Sequence, residues 1–133
     1  HLANSLARKG DDGRIMEALE GKVRLILTNP PFGATFQSND IVKYRIATSW
    51  SRRFPGRLDS EILFMERYLD WLAPGGQLVA IVPDSILTNK GVFEDLRKAI
   101  APQIDLLEVI SLPSVTFAAA GTTTKTSVLH FRK

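Results

Sequence analysis

Val23–Thr28 (VRLILT) runs without a break into Asn29-Pro30-Pro31-Phe32-Gly33, and that junction limits what the chain can be. A short, nearly continuous apolar run is the mark of a strand covered on both faces, as in parallel sheets. Two successive prolines fix φ and remove two backbone donors, so the strand cannot continue past Thr28. In open parallel sheets ligands bind just beyond the carboxyl ends of strands, which is where this pentapeptide lies.

The rest of the pattern agrees with such a sheet. Ser60–Leu72 places Ile62, Met65, Leu69 and Leu72 at helical spacing, with Leu63, Tyr68 and Trp71 widening the stripe and Pro74-Gly75-Gly76 as the stop. Gln77–Val82 predicts a second buried strand ended by Pro83, Asn89–Ala101 a helix with Phe93, Leu96 and Ile100 on one face, Asp105–Leu112 a third strand and Thr126–Phe131 a fourth. Alternating strands and helices predict an α/β domain with a mostly parallel sheet. The last two strands have only a loop of small residues at 118–124 between them, with no helix to make a parallel crossover, so the C-terminal strand pair is expected to be antiparallel. Residues 29–59, between the first strand and the first helix, make a connection of the length that is usually functional.

At 133 residues, with 44% hydrophobic and 23% charged side chains, the chain has the size and composition of one ordinary globular domain. No apolar run approaches the roughly 18 residues of a membrane span, and no secretion signal is visible, so a cytoplasmic location without membrane contact is expected. There are no cysteines, and only His1 and His130, which excludes a disulfide scaffold and argues against a metal cluster. The net charge of +3 is unevenly spread: between Gly33 and Arg57, Lys43, Arg45, Arg52, Arg53 and Arg57 oppose Asp40 alone. Phe36, Tyr44, Trp50 and Phe54 lie among them, a mixture suited to neutralising phosphates and stacking on bases. It is equally the composition of a solvated loop whose rings tuck into the core.

The pentapeptide itself has chemistry to offer. An Asn29 side-chain oxygen beside the Pro30 carbonyl makes a pair of acceptors suited to a planar amino group, able to stabilise its nitrogen as positive charge develops there. Pro31 stiffens the turn, and Phe32 offers a ring on which a planar base or amide can stack. The alternative is a rigid turn with Phe32 as a core anchor.

Four blocks carry a resemblance: LTNPPFG at Leu27–Gly33, LAPGGQLVAIVPDSIL at Leu72–Leu87, LLEVISLP at Leu106–Pro113, and Phe117 with GTTTKTSVLHFRK at Gly121–Lys133. In them the chain resembles the adenine-specific DNA methyltransferases, and within these the modification subunit of type I restriction–modification systems. The resemblance implies a Rossmann-like methyltransferase fold, S-adenosyl-L-methionine as cofactor and DNA as substrate, with a specificity subunit and a restriction subunit as partners. It implies that Asn29, Pro30, Pro31 and Phe32 form the catalytic motif, with Asn29 also beside the cofactor. Phe117 would be a second ring clamping a flipped-out adenine, and Lys43, Arg45, Arg52 and Arg53 would lie near the DNA. Asn4, in a segment similar to the tail of the family's third strand, would face the cofactor adenine.

The sequence departs from the family in having no glycine-rich turn after an apolar strand. The chain is therefore expected to be the C-terminal half of a catalytic domain, a single partial domain over residues 1–133 with an N-terminal remnant at 1–22 and a long basic and aromatic loop at 33–59. Most of the cofactor pocket would lie outside it. The strand at Val23–Thr28 would leave an exposed sheet edge open to self-association. Two other readings stand beside this one: a non-catalytic interaction domain that keeps the fold, and methylation of an RNA guanine amine or a protein glutamine, which share the motif. A Walker-type nucleotide hydrolase has no support, as no GxxxxGK[ST] occurs.

Overall fold

A computed structural model describes residues 5–6, 10–37, 44–46, 57–121 and 123–133. Asn4, Lys43, Arg52 and Arg53, with Trp50 and Phe54, lie outside the described residues. The elements are α1 (Gly10–Glu17), β1 (Val23–Thr28), β2 (Thr35–Gln37), β3 (Arg57–Asp59), α2 (Ser60–Trp71), β4 (Leu72–Pro83), α3 (Asp84–Thr88), α4 (Val92–Ile100), β5 (Asp105–Ser111) and β6 (Thr126–Arg132). Helix α2 is the crossover that a parallel β1–β4 pair requires. β6 then enters between β4 and β5, antiparallel to both, giving the order β1-β4-β6-β5. Three strands thus point one way and only β6 is reversed, as expected of a mostly parallel sheet with an antiparallel C-terminal pair.

The core lies on one face of the sheet. Ile26 of β1, Leu78, Ala80 and Val82 of β4, and Leu129 and Phe131 of β6 turn toward Ile62, Met65 and Leu69 of α2 and Phe93, Leu96 and Ile100 of α4. Each fully buried Val, Leu, Ile, Met or Phe among them contributes about 1.5–3 kcal/mol by leaving water. The expectation that β1 is covered on both faces fails here. Leu25 and Leu27 point to the opposite face and remain 54% and 69% exposed, because the helices that cover the sheet pack against its other side. β1 also forms the edge, paired only with β4 among the described residues.

Local chemistry explains the other departures. Pro74-Gly75-Gly76 does not merely stop α2: the helix ends at Trp71 and these residues bulge out of β4, so that Leu72 faces Val23 while Gln77 faces Leu25. Gly75 has φ +77°, a conformation other residues avoid. Lys133 Nζ reaches the Leu69 carbonyl and, at 2.9 Å, that of Leu72, placing a cation on carbonyls that the helix end leaves unpaired. The helix expected at Asn89–Ala101 begins only at Val92, as α4, after Gly91 takes φ +69°, and a separate short helix, α3, precedes it at Asp84–Thr88. Arg97 closes the break by donating to the carbonyls of Ile86 (2.6 Å) and Asn89 (2.7 Å). The N-terminal remnant contains α1, unexpected in a segment with two glycines; Trp71 Nε1 donates to its Met16 carbonyl at 3.0 Å. The long loop is itself gathered by a short antiparallel pair, β2 with β3.

Gly76 tests the bulge. A Cβ there would stand 2.7 Å from the Val23 carbonyl oxygen and 2.9 Å from that of Ala73, both backbone atoms that cannot swing away. Gly76→Ala is expected to destabilise the fold by about 1–3 kcal/mol, read as a lower urea midpoint with an unchanged slope.

Candidate active site

The carboxyl ends of β1, β4 and β5 and the start of β6 share one end of the sheet. Asn29-Pro30-Pro31-Phe32-Gly33 leaves that end after β1, α3 begins there after β4, and the segment carrying Phe117 links β5 to β6 there. The candidate motif and the segment carrying Phe117 are therefore brought to the same end of the sheet. Asn29 is exposed, Pro30 buried and Phe32 half-buried. Among the described residues no hydrogen bond engages the Asn29 side chain, so its amide is free to meet a ligand.

The motif loop is tied down on both sides. Thr28 Oγ1, one residue before it, lies 3.2 Å from the Tyr68 hydroxyl of α2. The first two residues of α2 hold the far side: Glu61 Oε1 accepts from the Gly33 N–H at 3.0 Å, and Ser60 Oγ stands 3.3 Å from the Pro31 carbonyl and 3.0 Å from Glu61 Oε2. The Ser60 N–H donates to the Ala34 carbonyl at 2.7 Å, and Thr35 then enters β2 opposite Asp59. Gly33 itself has φ +77°. Glu61 is only 7% exposed, although it is ionisable. The signal for its burial was in the sequence: Glu61 falls in register with Met65, Tyr68 and Leu69 of the apolar stripe.

The Phe117 loop is clasped at its base. Lys125 Nζ donates to Ser111 Oγ at 2.7 Å and to the Leu112 carbonyl, and the Leu112 N–H bonds the Thr126 carbonyl at 3.0 Å. Phe117 itself is half-buried at the entry to a short 3-10 turn, Ala118–Ala120. Ser127 Oγ donates to Asp84 Oδ1 at 2.8 Å, tying the start of β6 to the start of α3. Arg45, by contrast, is not at this end: it is exposed and pairs with Asp70 Oδ1 at 2.8 Å. Asp70 lies ten residues along α2 from Ser60, about 15 Å at the helical rise. Among the described residues no glycine-rich turn follows an apolar strand, and Asn29 stands at the β1 edge of the sheet.

The family model described as N-6 DNA Methylase matches residues 1–133. The chain belongs to that family. It is 31% identical over 132 residues to the type I restriction enzyme EcoKI methylase subunit of Escherichia coli K12, covering 99% of the chain and 22% of that protein. Its structure matches the crystal structure of the EcoKI M protein with a TM-score of 0.73 at 28% identity, over 100% of this chain and 24% of that one. It also matches a class I S-adenosylmethionine-dependent methyltransferase from Listeria monocytogenes, described as putative, with a TM-score of 0.67 over 84% of this chain and 32% of that one; at 22% identity this shows the fold alone. The chain therefore spans about a fifth of the length of the curated relative it matches.

Asp59, the residue before α2, has its carboxyl pushed above the usual range, first by burial and then by repulsion from Glu61. A carboxyl raised on folding is penalised once it ionises, so the penalty is absent below pH 3.8 and complete above the folded value. Its side chain makes no capping bond to α2. Asp59→Asn is accordingly expected to raise the melting temperature near neutral pH and to leave it unchanged near about pH 3, measured by thermal unfolding at both.

Proposed function

We propose that this chain carries the amine-holding part of an S-adenosylmethionine-dependent adenine-N6 DNA methyltransferase in a type I restriction–modification system. The observation that carries the reading is an exposed, unengaged Asn29 amide at the carboxyl end of β1, on a loop fastened to α2. The Asn29 oxygen and the Pro30 carbonyl would accept the two hydrogens of adenine's exocyclic amine and stabilise its nitrogen as it becomes positive. Phe32 would stack on the base after it leaves the duplex, with Phe117 as the second ring. S-adenosylmethionine would supply the electrophilic methyl group. Its pocket, with Asn4 and Asn29 contributing, would be completed by the rest of the parent protein, packed on the sheet face that shows Leu25 and Leu27. Lys43, Arg52 and Arg53 remain proposed DNA contacts. Arg45, already paired with Asp70, is a weaker one. DNA, a specificity subunit and a restriction subunit are the proposed partners.

Two measurements test this reading. Calorimetric titration of S-adenosylmethionine into the isolated 133-residue chain is expected to give no heat of binding up to about millimolar concentration; one-site binding would mean that the pocket is completed otherwise, for instance by a second copy across the β1 edge. With the assembled methylase that contains the chain, label from tritiated S-adenosylmethionine is expected in N6-methyladenine of DNA. Asn29→Ala is expected to lower that transfer by about 10²- to 10³-fold, the effect of removing one group from a charge-stabilising site. Label appearing instead in RNA or protein would identify a different amine as the substrate. Undiminished transfer by Asn29→Ala would mean that the motif is only a turn.

A further inference from the structure

We infer that Ser60 and Glu61 are positioning residues for the motif loop, fixing the two peptide planes that flank Phe32. This rests on the reading that the loop holds an amine. The Pro31 carbonyl belongs to the Pro31–Phe32 peptide, and the Gly33 N–H to the Phe32–Gly33 peptide. Adjacent residues at the start of α2 contact one each, Ser60 Oγ at 3.3 Å and Glu61 Oε1 at 3.0 Å. With both planes set, and with the φ of Pro30 and Pro31 locked by their rings, few free torsions remain between β1 and Phe32. Those torsions decide where the Pro30 carbonyl and the ring point. Helix α2 is the right body to set them, since every residue from Ser60 to Leu69 is buried.

A carboxylate in the first turn of α2 is favoured by the helix dipole wherever it points; turned inward to take the Gly33 N–H and the Ser60 hydroxyl, it adds direction. Ser60 has a single hydroxyl proton and two acceptors, Glu61 Oε2 at 3.0 Å and the Pro31 carbonyl at 3.3 Å. The charged and nearer oxygen competes for it. A glutamine at position 61 changes that balance in a predictable way. Its oxygen keeps the Gly33 bond, while its amide donates to Ser60 Oγ and turns the Ser60 proton toward Pro31.

The experiment compares Asn29→Ala, Ser60→Ala, Glu61→Ala and Glu61→Gln in the assembled methylase that contains the chain. It measures steady-state methyl transfer from tritiated S-adenosylmethionine to unmethylated genomic DNA of the host. Glu61→Ala is expected to lower kcat by about 10- to 100-fold, the scale of an ångström-level misplacement. The KM for S-adenosylmethionine should stay within about twofold, because binding is untouched. Glu61→Gln should restore kcat to within about threefold of the parent, since both loop bonds survive. Should Glu61→Ala fail to fold, Ser60→Ala takes its place, with a kcat loss of about 3- to 10-fold. A kcat unchanged in Glu61→Ala, or Glu61→Gln as damaged as Glu61→Ala, overturns the inference. Asn29→Ala separates the two levels: if it abolishes transfer while the helix variants do not, only the positioning role is lost, and if it retains transfer, the amine-holding reading itself fails.

Discussion

Parallel pairing of β1 with β4 governs the rest of this molecule. Two neighbouring strands that run the same way cannot be joined by a tight turn, so the chain must travel back along the sheet before β4 begins. Helix α2 makes that return, and its direction is therefore opposite to that of the strands. Its first residues stand where β1 ends and its last residues stand where β4 starts. The Asn-Pro-Pro-Phe-Gly loop thus finds a helix N-terminus beside it as a matter of topology. The bonds from Ser60 and Glu61 are made by the residues that the crossover delivers to that place.

The same geometry explains how α2 is buried. It lies between the sheet and the segment at residues 44–46, whose Ile46 N–H reaches Glu66 Oε2 at 3.0 Å and whose Tyr44 ring lies 5.5 Å from the Arg67 guanidinium. Trp71 lies on Arg67 at a similar distance, 5.6 Å, and Glu20 Oε1 is 3.9 Å away. Arg67 is wholly buried as a result. A charged group in that position is held by ring faces and an opposite charge, which restricts how the 44–46 segment can sit over the helix.

Much of this was legible from the residue pattern. β1, β4, β5 and β6, the apolar stripe of α2, the antiparallel closing pair and the placement of the motif beyond β1 follow from periodicity and from proline and glycine punctuation. What escaped was set by tertiary contact. α1 carries two glycines and is held by Trp71; α3 was hidden because Pro83 reads as a strand end and Gly91 only later breaks the chain. The exposure of Leu25 and Leu27 could not be read at all, since an apolar residue announces that it wants cover and says nothing about whether the cover belongs to the same segment. The bond from Glu61 to the loop could not be read either: a carboxylate in the first turn of a helix has a ready explanation in the helix dipole, and a partner 28 residues away leaves no mark in the pattern.

The insertion of β6 has a consequence for how the protein is made. Its two neighbours, β4 and β5, are both synthesised before it, and neither bonds the other in the finished sheet. Until residues 126–132 have emerged from the ribosome, β5 has no partner and β4 presents an open side, so half of the sheet is a gap flanked by apolar side chains. Closing that gap also draws the Phe117 loop shut at its base through Lys125 and Leu112. The strand that completes the sheet thus also shapes one wall of the candidate site, and a nascent chain stalled short of it would expose strand edges to aggregation.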